Sequence, residues 1–259
     1  MADAHALQKP LLLMVQRGDI GGVRMFIEAG ADVNHVWGGG GEFDPGDTAL
    51  GVAIYSMQMD TNFSVNMVNE LLALGADAGA HVNIIFGAIH AVDEGANPDF
   101  LAALVAAGAD VQAKRYGLGT PLHAVFCIRN PKKAVAVANL LISKGALVDA
   151  KTDRGERPLD RALRVFYSDG SRMPAELLAR DRALAMCLLR AGAATTGLAD
   201  DLEESPAKTS VDLVIKRGGW KKYARWHKQV LVGLVTKCQP MPDDAAGLVV
   251  DFYCPRGGS

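Results

Sequence analysis

The dipeptide Gly-Ala recurs at Gly30, Gly75, Gly108, Gly145 and Gly192, and the residues before it are written each time in one register. Seven, four and three positions upstream stand Val23, Phe26 and Ile27; Val68, Leu71 and Leu72; Leu101, Leu104 and Val105; Ala138, Leu141 and Ile142; and Ala185, Leu188 and Leu189. Apolar residues at those intervals share one face of an α-helix. A glycine just past such a stripe supplies the left-handed residue that ends a helix with no Cβ penalty. One such glycine is commonplace. Five matched copies restrict the chain to a series of helices that all stop in the same way.

A second signal follows each glycine. Twelve residues after Gly108 comes Thr120-Pro121-Leu122-His123; twelve after Gly145 comes Arg157-Pro158-Leu159-Asp160; twelve after Gly75 comes Gly87-Ala88-Ile89-His90. The intervals from Gly30 to Thr48-Ala49-Leu50-Gly51 and from Gly192 to Thr209 are longer, at eighteen and seventeen, and one further copy opens the series at Lys9-Pro10-Leu11. The starts at 9, 48, 87, 120, 157 and 209 are therefore 39, 39, 33, 37 and 52 residues apart. Proline in a first helical turn loses no hydrogen bond, because that N–H has no partner anyway, and a preceding Thr caps the helix. Each copy predicts a short helix, a turn and a longer helix. Such a pair is too small to bury its own apolar face, and stacking the next pair on it does so.

The matched stripe, glycine and box, clearest in "KPLLLMVQRGDIGGVRMFIEAGADVN" (residues 9–34) and "VAAGADVQAKRYGLGTPLHAV" (residues 105–125), resemble the ankyrin repeat. The resemblance covers residues 7–237 and implies an all-α ankyrin-repeat solenoid. It predicts about six helix-turn-helix repeats with short hairpin-like finger loops and a C-terminal helical cap. The repeats fall at about 7–37, 46–78, 84–111, 117–148, 155–196 and 207–237, within a domain of residues 1–238, and residues 239–259 form a tail with a short capping helix. Departures are the insertions and the box letters Gly87, Arg157, Asp160 and Asp212. The resemblance further implies a structural hydrogen bond between repeats for the box imidazoles, His90 and His123. It also marks Asn34, in the Gly-Ala-Asp-Val-Asn turn, as a hydroxylation position; the matching residues elsewhere are Gly79, Gln112, Asp149 and Thr196.

The insertions carry the individuality of the chain. "HVWGGGGEFDPGD" (residues 35–47) lengthens the first finger and places Trp37 and Phe43 on either side of four glycines. Those rings either fold back on the neighbouring finger or anchor a partner, since large aromatics dominate interface hot spots. Residues 55–64 and 166–181 lengthen inter-helix turns, and Met173-Pro174 restarts a long second helix. Residues 205–239 carry eight Lys or Arg against one Asp, a local +7; removing that from the overall −2 leaves −9 elsewhere. In "WKKYARWHKQVLVGLVTKC" (residues 220–238) the aromatic and aliphatic residues form one stripe and the cations fall on other faces. The basic helix at residues 216–228 is either the solvated outer face of a last repeat or a contact for phosphate, nucleic acid or an acidic membrane. The Pro-led apolar segment after residue 239 packs over that repeat, or serves a ubiquitin ligase, as the small terminal box of some ankyrin-repeat proteins does.

Chemistry is hard to find. There is no His-x-x-x-His pair, the four cysteines have no ligand spacing, and the four glycines lack the Lys-Ser/Thr of a phosphate loop. No catalytic residue, metal site or cofactor is predicted, and no small-molecule substrate is expected. Scattered cysteines, the lack of a basic-then-apolar leader and an apolar run of only six residues (230–235) point to the cytoplasm, with the nucleus as an alternative. The expected function is binding of another protein, by a monomer, through finger tips and the inner ends of first helices. The tips fall at residues 35–44, 80–83, 114–118 and 151–156, and the helix ends include Arg17, Tyr55, Glu94, Ile128 and Arg164. The expected anchors are Trp37, Phe43, Tyr55 and Tyr116, with Lys114, Arg115, Lys151 and Arg154 steering an acidic partner. The alternatives are a ubiquitin-ligase adaptor and a nucleic-acid or membrane contact through residues 216–228.

Overall fold

The computed structural model describes residues 4–38, 43, 46–56, 61–163, 174–195, 214, 216–217, 220–225 and 229. Among them the chain is all-α, apart from isolated bridge positions at Phe43, Arg115 and Gly119, the last two paired with each other. The helices are α1 (Ala4–Arg17), α2 (Ile20–Glu28), α3 (Ala49–Ser56), α4 (Thr61–Ala73), α5 (Asn83–Glu94), α6 (Asp99–Ala106), α7 (Pro121–Ala124), α8 (Pro131–Ser143), α9 (Pro158–Ala162) and α10 (Ala175–Arg190). One 3-10 turn, Val125–Cys127, extends α7. Contacts divide the chain into two compact units, residues 1–158 and 159–259.

In the first unit the helices pack in consecutive pairs: α1 on α2, α3 on α4, α5 on α6 and α7 on α8. The first helix of each pair also packs on the first helix of the next, α1 on α3, α3 on α5 and α5 on α7, and α4 packs on α6. The stripes explain why. The residue seven positions before each glycine (Val23, Val68, Leu101, Ala138 and Ala185) is completely buried. So is the third letter of the five boxes within the described residues, Leu11, Leu50, Ile89, Leu122 and Leu159. Burying a leucine-sized side chain is worth about 2 kcal/mol, so these paired positions fix which faces meet. Starts are fixed by caps. Asp19 accepts from the Gly22 N–H at 2.8 Å before α2, and Thr48 Oγ1 accepts from the Gly51 N–H at 3.1 Å before α3. Asn130 accepts from the N–H groups of Lys132 and Lys133 ahead of α8, with Pro131 in the first turn.

All five stripes end identically. The glycine N–H donates to the carbonyl three residues back and the following alanine N–H to the carbonyl five back, as in Gly30 to Ile27 (3.0 Å) and Ala31 to Phe26 (2.9 Å). The same two bonds recur at Gly75, Gly108, Gly145 and Gly192, where φ lies between 90° and 102°. At Gly30, Gly75, Gly145 and Gly192 a Cβ would meet nothing within 4 Å, so backbone torsion rather than space selects glycine. The alanines after them (Ala31, Ala76, Ala109, Ala146 and Ala193) are all buried, which is the apolar contact such an ending requires.

Two helix starts differ from expectation. Helix α1 begins at Ala4, with Pro10 inside it rather than in its first turn. Helix α5 begins at Asn83, four residues ahead of Gly87. The buried apolar run Ile84, Ile85 and Phe86 carries the helix through the box, and Gly87 offers no side chain to cap a start there. In the second unit, α10 starts directly after Pro174, as the sequence predicts. It buries Leu184, Ala185, Leu188 and Leu189 together with an adjacent ion pair, Arg180 and Asp181.

Candidate functional site

The loops between pairs, here called fingers one to four (residues 32–48, 77–83, 110–120 and 149–157), are tied to one another by side chains. Asp32, Asp77 and Asp110 each accept from the N–H two residues on, closing a turn. Four positions past its glycine, Asn34 reaches the next turn: its Nδ2 donates to the Gly75 carbonyl at 3.0 Å, and its Oδ1 accepts from the Asp77 N–H at 2.7 Å. Gln112 repeats this one seam later, donating to the Gly145 carbonyl at 2.6 Å and accepting from the Leu147 N–H at 3.3 Å. At the seam between them the residue is Gly79, and a Cβ there would stand 2.8 Å from the Gly108 carbonyl oxygen. Backbone approaches directly where the other two seams use a carboxamide.

Finger three closes on itself, with Arg115 N–H donating to the Gly119 carbonyl and Gly119 N–H to the Arg115 carbonyl, both at 2.9 Å. It leans on finger four through the Gly117 N–H and Asp153 Oδ2, 3.3 Å apart. His123, fully buried, fixes its base. Thr120 N–H reaches His123 Nδ1 at 3.2 Å and can only donate, so Nδ1 is the acceptor nitrogen and Nε2–H donates to the Glu156 carbonyl at 3.1 Å. That is the bond between repeats expected of the box imidazole. His90 does not make it. It lies inside α5 rather than at its start, and it is exposed. The expectation for His90 is corrected accordingly.

An open groove of about 810 Å³ runs along α1, α3, α5 and the 3-10 turn, under fingers one to three. Its rim is set by Gln16, Tyr55, His90 and Cys127 from the helices and by Asp47 and Arg115 from the fingers. Tyr55 is 74 % exposed. Of the helix ends expected here, Arg17 and Glu94 are exposed but do not line the groove, Ile128 is fully buried, and Arg164 lies outside the described residues. Counting seven residues from each box start would have found Gln16, Tyr55 and Cys127. His90 was hidden by the early start of α5.

Among the expected anchors, Tyr116 is 92 % exposed at the tip of finger three, and Lys114, Arg115, Lys151 and Arg154 are all exposed. Phe43 is corrected: it is buried, with its ring 6.5 Å from that of Trp37 in an edge-to-face contact. Trp37 is half-buried, and its backbone pairs with the far side of the loop, its N–H donating to Asp47 at 2.7 Å and its carbonyl accepting from Gly46 at 2.8 Å. The two rings hold the long finger closed, the folded-back alternative; Phe43 then forms part of the groove wall. Asn34, the residue marked for modification, is exposed while its carboxamide is bonded across the seam.

No family model matches this chain, and comparison with curated proteins gave no match.

In the second unit, the rings of Trp220 and Tyr223 lie 5.4 Å apart, tilted by 42°, with the Arg190 guanidinium 5.4 Å from the centre of the Trp220 ring. Tyr223 is buried, whereas Lys216, Arg217, Lys221, Lys222 and Arg225 are exposed. Residues 226–228 and the tail 239–259 lie outside the described residues. Burial pushes the Asp181 carboxyl above its ordinary range, against the pull of Arg180 2.7 Å away. On the exposed surface of the first unit the opposite holds: Arg24, bonded to Glu70 at 2.6 and 2.8 Å, holds that carboxyl below its ordinary range. Among the described residues no helix is long and apolar enough to cross a membrane, and no three His, Cys, Asp or Glu gather as metal ligands.

Proposed function

We propose that the chain is a non-catalytic ankyrin-repeat protein that binds another protein in the groove of its first unit. The ankyrin reading is supported by the five identical helix endings, by the buried box residues and by the seam carboxamides of Asn34 and Gln112. These are periodic features of one repeated unit, and stacked units offer their first helices and loops as one continuous surface. The observation that carries the function is the groove itself. It is open, polar and apolar side chains share its lining, and two exposed tyrosines stand near it, Tyr55 on its rim and Tyr116 on the finger that supplies Arg115. Exposed aromatic side chains beside a concavity are what a protein partner uses as anchors.

The test is photo-crosslinking in the native cell, with a benzophenone amino acid at Tyr55 or, as a control, at the exposed Ala136 of α8. A discrete protein adduct from position 55 alone, lost when Tyr116→Ala is added, is expected. Adducts from position 136 alone, or none from position 55, would overturn the proposal.

A further inference from the structure

We infer that the groove takes an extended protein segment of mixed charge, whose acidic end lies over fingers three and four. The inference rests on the groove reading above and adds the chemistry and direction of the occupant.

The charges of the fingers are unequal. Fingers one and two contain Asp32, Glu42, Asp44, Asp47 and Asp77 and no Lys or Arg, a charge of −5. Fingers three and four expose Lys114, Arg115, Lys151 and Arg154 against Asp110, Asp149 and Asp153, four cations over three carboxylates and a charge of +1. Unlike the cations, two of these carboxylates are engaged by backbone amides. Asp110 Oδ1 accepts from the Gln112 N–H at 2.7 Å, and Asp153 Oδ2 accepts from the Gly117 N–H. Among the described residues, none of the four side-chain cations has a hydrogen bond or ion pair, so each is available to a ligand. Arg115 lines the groove as well, and Tyr116 beside it is almost wholly exposed. A carboxylate-bearing segment entering at that end finds four unpaired cations and an exposed ring, and then a groove edged by the exposed side chains of His90 and Tyr55.

A uniform polyanion fits less well. Nucleic acid or an anionic lipid surface meeting fingers three and four would also meet Asp32, Asp47 and Asp77 of fingers one and two, and like charges across an interface oppose binding. A peptide can change its sign along its length.

Random peptides about sixteen residues long, displayed on phage and selected against the full chain, test this directly; extended chain of that length spans about 50 Å. Selected peptides should share an Asp/Glu cluster on one side of an apolar or aromatic residue. Combining Arg115→Glu with Arg154→Glu should weaken them about tenfold or more and flatten the salt dependence of their association rate. Tyr55→Asp should weaken them as well. Peptides sensitive to Tyr55→Asp but not to the charge reversals would overturn the acidic segment while leaving the groove reading in place. Peptides indifferent to Tyr55→Asp, or no selected peptide at all, would overturn both. Oligothymidylate or phosphatidylserine vesicles bound through the same four cations, without acid-rich peptides, would replace the protein segment by a polyanion. Circular dichroism melting checks each variant; all the substituted side chains are exposed, so the folded chain should persist.

Discussion

The third and fourth helix pairs carry the same box ending in histidine and put it to opposite uses. In the fourth, Thr120 precedes Pro121, the helix starts there, and His123 is drawn into the interior to bond Thr120 and Glu156. In the third, Gly87 cannot cap, the apolar residues Ile84, Ile85 and Phe86 lengthen the helix backward, and His90 comes out on the groove. The lesson is that a box letter has meaning only relative to the helix start. Moving that start by five residues turned a structural imidazole into one that lines a surface.

Substitutions in the two pairs sharpen the contrast. The largest effect is expected for His123→Ala, which leaves the buried Thr120 N–H without a partner and takes one of two hydrogen bonds from the Glu156 carbonyl, and which should cost about 3 kcal/mol in urea denaturation followed by circular dichroism. Next comes Gly79→Ala, where the new methyl meets the Gly108 carbonyl oxygen and the seam must open, at about 2 kcal/mol. Gly108→Ala and Gly145→Ala should cost about 1.5 kcal/mol each, equally in the two pairs, because the torsion they disturb is the same. A clear inequality would mean that the helix ending depends on the box after all. Gln112→Ala, which removes the carboxamide joining the two pairs, should cost about 1 kcal/mol and speed hydrogen exchange at the Leu147 amide. The smallest effect belongs to His90→Ala, under about 0.5 kcal/mol, since an exposed side chain is being trimmed. A large loss there would return His90 to the structural role of its counterpart.

The sequence made the helical architecture legible because the same few letters bear on the same few contacts in every copy. The stripe positions and glycines fell where the periodicity put them, and so did the start of α10 after Pro174. Local competition was harder to read. Pro10 lies within α1, and α5 overruns its box, because neighbouring residues extended those helices past the expected starts. The groove was half legible. Tyr55 and Arg115 line it as the register suggests, whereas Gln16 and Cys127 needed a one-residue correction and His90 needed the true start of α5. Phe43 was ambiguous in sequence, since an aromatic beside a glycine run can close a loop or project from it, and only the 6.5 Å contact with Trp37 decides. The seam carboxamides of Asn34 and Gln112 differ by one methylene, and their shared role emerges only from hydrogen bonds that span 33 to 43 residues.

Hydrogen exchange of the full chain, with and without a peptide recovered by display, tests the central claim most directly. The account predicts added protection in fingers one to four and along α3 and α5, with α2, α4 and α8 unchanged. Protection confined to α4 and α8, or to residues 214–229, would contradict it.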